Sequence, residues 1–294
     1  MRILVFDTET TGLPPPKSPK SPQDVLPDFD TVHLWPHIVQ LSFILYDTDS
    51  CETLRVYDEL IQCNPGLTIG AAAFAVHGIS ESDCIARGVP ITSALNAFVG
   101  ASVDVDCIVG HNVGFDRNMI LVEIIRLLGK QKHLLDVQEK EKQVSGAGEK
   151  EKEKEKEKEK EKERQAPLFQ MITRSSAARL RIESIEEAKL GEILNRRLFR
   201  QWTRTNNNIN TYLSWIKWFS EKSKYECTMQ MGTTRCGIMQ SRNGRTFHKY
   251  PTLLELYMNL FPTDAEPTGL HNAIVDVQLC LRCYCALHHM TIPM

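Results

Sequence analysis

What the chain lacks narrows it first. No apolar run approaches the roughly twenty residues needed to cross a bilayer, so a membrane protein is not expected. Neither sign of charge dominates: 35 Lys and Arg stand against 37 Asp and Glu, a formal net charge of -2. That excludes a uniformly basic nucleic-acid binder, though not one that grips through metal ions and a local basic surface. The nine cysteines are odd in number and scattered. No distant Cys-x-x-Cys completes a tetrahedral set for Cys280, Cys283 and Cys285, although Cys227 and Cys236 exist. Free thiols in a reducing, intracellular setting are expected, with no compartment specified. The opening residues do not resemble a secretory leader; they run directly into a strand.

What is present suffices for a real core. The 294 residues, 42% of them hydrophobic, allow one ordinary domain plus a large insertion or a second small domain. The first thirteen, MRILVFDTETTGL, organise the rest. Ile3 to Phe6 read as a strand, and Asp7 and Glu9 follow at its end. In extended backbone, residues i and i+2 share a face, so two carboxylates leave the strand side by side. Like charges that close cost energy unless a cation lies between them. Oxygen ligands suit Mg²⁺ or Mn²⁺. A solvated turn is the plainer alternative.

Residues 14–37 are rich in proline and serine and read as an irregular stretch over one edge of the domain. Ile38 to Tyr46 and Thr53 to Tyr57 read as a hairpin closed at Asp47 to Ser50. Ala71 to His77 suggests a short helix ended by Gly78, and Ser80 with Glu81 and Asp83 the start of another. Ile91 to Val99 has helical spacing, and Val105 to Val109 is the next strand. That strand enters His111-Asn112-Val113-Gly114-Phe115-Asp116, where Asp116 opens an amphipathic helix expected to end near Gly129. Locally, Asp116 reads equally as a capping acid. His77 could hold a loop near the site or be a partly exposed histidine.

Composition then shifts. Residues 149–162 are seven Glu-Lys repeats, read as a solvated tether. Residues 165–224 hold eleven Lys or Arg against five Asp or Glu, a net of +6, with Trp202, Trp215, Trp218 and Phe219 among them. Arg179 to Leu198 has helical spacing. Aromatics among basic residues serve either as a stacking and phosphate surface or as the small core of a docked helical insertion. The expected division is therefore 1–136 as the first part of a main domain, 137–224 as an insertion, and 225–294 as the second part. Glu226 to Met229 suggests a short strand and Leu253 to Leu260 a helix started by Pro251 and Thr252. A final helix runs from about Asn272 to His289.

His271 lies just before that helix and Asp276 one turn inside it. Four acids and a histidine thus stand at element ends: Asp7, Glu9, Asp116, Asp276 and His271. This set resembles the DEDDh 3'-5' exonucleases, the group of the proofreading epsilon subunit of DNA polymerase III. FDTETTGL at Phe6 to Leu13 is similar to the family's first motif, HNVGFD at His111 to Asp116 to its second, and HNAIVD at His271 to Asp276 to its third. AFAVHGIS at Ala73 to Ser80 resembles a segment between the first two, and KYPTLLELYMNLF the helix before the third. The resemblance spans about residues 1–130 and 225–294; the interval 137–223 departs from it.

The resemblance implies an α/β fold, a ribonuclease H-like mixed five-stranded sheet flanked by helices. It implies two divalent cations, Mg²⁺ or Mn²⁺, one held by Asp7, Glu9 and Asp276 and a second shared by Asp7 and Asp116. Water would attack a terminal phosphodiester of DNA and release nucleoside 5'-monophosphates. His271 would accept the proton, work suited to an imidazole, which ordinarily titrates near neutrality. Backbone around Thr10 and Thr11 and the side chain of Leu13 would hold the terminal nucleotide, with Asn112 and Phe115 shaping the pocket and His77 beside it. Leu13 could instead be core. The expected partner is DNA with a 3' end. An RNA-directed exonuclease and a binding module acting through the basic insertion are the alternatives. No polymerase or other protein partner is identified by these residues.

Overall fold

The computed structural model describes residues 1–15, 27, 30–144, 209–220 and 225–291. The Glu-Lys repeats, the helical pattern of 179–198 and Trp202 lie outside these residues. Five strands form one sheet: β1 (Arg2–Thr10), β2 (Ile38–Asp47), β3 (Glu52–Leu60), β4 (Cys107–Gly110) and β5 (Tyr225–Cys227). Their spatial order is β3-β2-β1-β4-β5. The first three pair antiparallel, while β4 runs parallel to β1 and β5 to β4. This mixed sheet flanked by helices is a ribonuclease H-like arrangement, as expected.

β1 is central and covered on both faces, which explains its almost unbroken apolar run. Ile3 and Val5 pack with Val277, Cys280, Leu281 and Tyr284 of the last helix. Leu4 and Phe6 point the other way, into the larger core with Leu95, Phe98, Ile120 and Ile124. By the two-residue period Asp7 and Glu9 fall on the face of Ile3 and Val5, toward the last helix.

The early helices are α1 (Ala71–His77), α2 (Glu81–Arg87) and α3 (Ile91–Ser102). Gly78 closes α1 in the left-handed region, at φ 69°, where an L side chain would be strained. Ser80 and Asp83 form the reciprocal capping box of α2. The next helix, α4, spans Val113–Val144. It does not stop at Gly129: the flanking Leu, Lys and Gln residues are strong helix formers and offset one interior glycine. Arg126 on α4 donates to the carbonyls of Val32, Trp35 and Pro36 and pairs with Glu123 at 2.6 Å. It thereby pins the end of the early irregular stretch against the domain.

α5 (Ile209–Ser220) decides one open question. Tyr212, Trp215, Ile216 and Phe219 are buried in the same core as α3 and α4. Phe219 stacks on Phe98 at 5.5 Å, and Phe98 meets Phe6 at 4.8 Å. Trp215 and Phe219 are core side chains, not a platform on which bases could stack. After β5 come α6 (Thr228–Cys236), the hairpin strands β6 (Met239–Arg242) and β7 (Arg245–His248), α7 (Leu253–Leu260) and α8 (Ala273–Leu287). The β6–β7 hairpin was not expected from the sequence. All nine cysteines are free, and those of α8 are packed as small apolar residues, with burial pushing the Cys283 thiol up to about 12.

Candidate metal centre

Carboxylate oxygens of Asp7, Glu9 and Asp276, one from each, lie within 4.8 Å of one another. β1 supplies two of them and the first turn of α8 the third. It is the one such acidic group among the described residues. The neighbours explain how α8 is set. Gln40 and Ser42 of β2 stand opposite Glu9 and Asp7 in the sheet. Gln40 accepts from the Ala273 N–H at 3.3 Å and donates to the Asn272 side chain at 3.3 Å. Asn272 in turn caps α8 by accepting from the Ile274 N–H. Asp58 of β3 fixes the other side by accepting from Gln40 at 2.8 Å and Ser42 at 2.6 Å. Two polar residues at i and i+2 of an otherwise apolar strand were the available signal for this network.

Asp116 stands outside the three-acid group. It sits in the first turn of α4, buried, and its Oδ1 accepts from the Thr8 N–H at 3.0 Å and the Thr8 hydroxyl at 2.7 Å. Thr8, the residue between Asp7 and Glu9, therefore ties the fourth acid to the first two. No sequence pattern announced that role, because its partner is 108 positions away.

Every one of these carboxyls is pushed upward. Burial raises Asp7 well above the usual carboxylate range, helped by the charges of Asp116, Glu9 and Asp276. Burial, then Asp276 and Asp116, carry Glu9 to about 8. Burial carries Asp116 to about 7 against the pull of its Thr8 bonds. Burial raises Asp276 too, opposed by His271. The cluster is a region of uncompensated negative charge that takes up protons or a cation.

The donor set fits a hard divalent cation. Its members are carboxylate oxygens, suited to Mg²⁺ or Mn²⁺. Asp276 also carries a buried Oδ1 with no hydrogen-bond partner among the described residues, while its Oδ2 accepts the His271 N–H at 3.2 Å. A buried carboxylate oxygen left without a donor is costly unless a ligand completes it. Among the described residues, the acids that converge closely enough to share a cation are Asp7, Glu9 and Asp276.

His271 is exposed, at φ 64°, a left-handed turn that aims its N–H at Asp276. Its ring lies close enough to Asp276 and His77 to influence both electrostatically. His77 has both ring nitrogens engaged. Nδ1 accepts the Ile79 N–H at 3.0 Å, so Nε2 carries the proton and donates to the Thr10 carbonyl at 3.1 Å. Burial holds its pKa below the ordinary value. His77 holds the end of β1.

Thr10 and Thr11 are similarly committed. The Thr10 hydroxyl donates to Gly12, the Thr11 N–H to His37, and the Thr11 carbonyl accepts from Gly70. Leu13 is 86% exposed, which removes the core alternative for it. Asn112 is exposed at φ 64°, and Phe115 packs partly against the main core. His111 ties the end of β4 to later elements, through Thr228 at 3.0 Å and the Pro251 carbonyl at 3.0 Å.

No family model matches the chain, and no curated protein does. Among solved structures, E. coli exonuclease I in complex with a dT13 oligonucleotide is similar at 19% identity and a TM-score of 0.30, over 41% of this chain and 23% of that one. The moderately thermophilic exonuclease I of Methylocaldum szegediense is similar at 14% identity and a TM-score of 0.31, over 43% of this chain and 23% of that one. The chain thus matches about a quarter of the length of those structures. Likeness of that size carries no weight for the site, which rests on the residues above.

Proposed function

We propose that this chain is a metal-dependent 3'-5' exonuclease that hydrolyses terminal phosphodiester bonds of DNA and releases nucleoside 5'-monophosphates. The observation that carries the reading is the meeting of Asp7, Glu9 and Asp276 beside a buried Asp276 oxygen that no group among the described residues satisfies. Asp7, Glu9 and Asp276 would hold one Mg²⁺ or Mn²⁺, and Asp7 with Asp116 a second. When bound, such cations supply positive charge opposite the phosphate oxygens and acidify water. His271, exposed at the lip of the acid cluster, takes the proton from the attacking water. Asp276 sets its position through the His271 N–H. Leu13, exposed beside the end of β1, offers an apolar surface to the terminal base. Residues 1–136 and 225–294 form the catalytic body in this reading, with 137–224 inserted and its α5 docked into the main core.

The test is digestion of matched DNA and RNA, single- and double-stranded, with label distributed along each strand. Stepwise release of 5'-mononucleotides from the DNA 3' end, dependent on Mg²⁺ or Mn²⁺, is expected. Faster cleavage of RNA would move the substrate to the exoribonuclease alternative. Internal cuts, or no metal-dependent release, would overturn the proposal. A binding module acting through the aromatics of the basic segment is disfavoured by the burial of Trp215 and Phe219.

A further inference from the structure

The β6–β7 hairpin is the least explained part of the described fold. Every residue of both strands is exposed. Such a ribbon gains nothing from a core, and isolated two-stranded hairpins are marginal. It is nevertheless well specified. Asn243 and Gly244 turn it with both φ values positive, 52° and 73°, the backbone that Asn-Gly favours in a two-residue hairpin. Ser241 and Thr246 hydroxyls meet across it at 3.2 Å.

Its register sorts the side chains. Arg242 stands directly opposite Arg245, and Gln240 opposite Phe247. These four share one face, since opposed residues project together and alternate along each strand. Two arginines facing each other are unfavourable unless an anion comes between them. Neither has a carboxylate partner among the described residues. The whole stretch 227–254 contains Arg235, Arg242, Arg245 and Lys249 and no Asp or Glu. Of these Lys249 is already paired with Glu255 at 2.6 Å. The ribbon is thus a basic, aromatic-bearing arm that the described residues leave exposed.

Its root places it near the acids. β5 and β4 run parallel to β1, so their C-terminal ends lie at the end of the sheet that carries Asp7 and Glu9. The chain leaves β5 into α6 and the hairpin, then returns at Pro251, whose carbonyl is bound by His111 just after β4.

We infer that the Arg242–Arg245–Phe247 face of this hairpin grips the substrate strand, the two guanidiniums on its phosphates and Phe247 against a base. The inference rests on the exonuclease reading for its substrate class. Arginine suits phosphate through its fork of donors, and base–aromatic stacking tolerates any sequence. The arm holds nucleotides the acid cluster does not reach.

The experiment uses the full chain and the double variant R242A/R245A, with R242K/R245K as a charge-preserving control. Binding of a labelled single-stranded DNA 30-mer is followed by fluorescence anisotropy in EDTA across a salt series, and hydrolysis of thymidine 5'-monophosphate p-nitrophenyl ester is followed with Mn²⁺. Loss of two phosphate contacts should weaken binding about tenfold or more near 0.1 M salt and flatten the salt slope by roughly 1.4. The lysine variant should retain most of the slope. The small ester should be hydrolysed at the wild-type rate by both variants. Unchanged affinity and slope in the alanine variant, or no DNA binding by wild type, would overturn the inference. Failure of wild type to hydrolyse the ester or any DNA counts against the exonuclease reading instead, and the anisotropy series still decides the hairpin.

Discussion

Replacing Glu9 by Gln isolates the repulsion at the centre of the acid cluster. Burial and the charges of Asp276 and Asp116 carry the Glu9 carboxyl from 4.5 to about 8. The folded-state value lies above the unfolded one, so the native chain holds the proton more tightly. The stability contributed is present at low pH and is lost as pH climbs from about 4.5 to about 8. At about 1.4 kcal/mol per pH unit, the ceiling is roughly 5 kcal/mol near pH 9. Glu9 is partly open to solvent, which reduces the expected penalty to ~1–3 kcal/mol. A neutral amide of the same shape carries no such cost. In EDTA near pH 9, E9Q should therefore melt above wild type by roughly 3–10 °C. Near pH 5, where the native Glu9 carboxyl holds its proton, the two should melt nearly together. Saturating Mn²⁺ should reverse the order at high pH, since about 2.7 kcal/mol at a hundredfold excess over Kd accrues to the chain that binds it. Scanning calorimetry of both proteins at both pH values, with EDTA or Mn²⁺, reads all of this. An E9Q protein that is less stable than wild type in EDTA near pH 9 would refute the reasoning.

H271A should lower kcat about 10²-fold or more with little change in KM, checked by steady-state hydrolysis; wild-type turnover would remove His271 as the base. T8V keeps the backbone bond to Asp116 but loses the 2.7 Å hydroxyl bond. It should cost about 1–3 kcal/mol in denaturant titration and slow hydrolysis roughly tenfold, and an unaltered rate would show that Asp116 needs no such anchor. W215A should destabilise the fold by about 3–5 kcal/mol, because Trp215 is buried against α3 and α4. A variant of full stability with weakened DNA binding would restore the stacking role for that helix.

Elements whose signals are local were legible in the sequence. Gly78 after α1, the Ser80–Asp83 box of α2 and the Thr252–Glu255 box of α7 are chemistry between residues a few positions apart. The strand pair around Asp47 to Ser50 was equally visible. Asp7, Glu9 and Asp276 could be picked out because they stand near element ends, the first two within the last four residues of β1 and the third in the first turn of α8, and the fold brings them within reach of one another. Three things were hidden. The α4 helix overran Gly129 because one glycine costs less than its neighbours contribute. The β6–β7 strands lack apolar alternation, so only their Asn-Gly turn could have announced them. The aromatics of 209–220 had no local mark to distinguish a core from a binding surface, since tertiary packing alone decides that. The roles of Thr8, Gln40 and Asn272 belong to the same class: their partners are distant in the chain.

The central claim is that acids from β1 and α8 form one hard-cation site. Calorimetric titration of Mn²⁺ into wild type and D7N, in buffers of different ionisation enthalpy, tests it most directly. Wild type should bind Mn²⁺ and release protons as it does, because the cation displaces those held by the raised carboxyls. D7N should keep its fold by circular dichroism and bind at least about tenfold more weakly. Equal affinity in the two proteins, or no binding by wild type, would contradict the account.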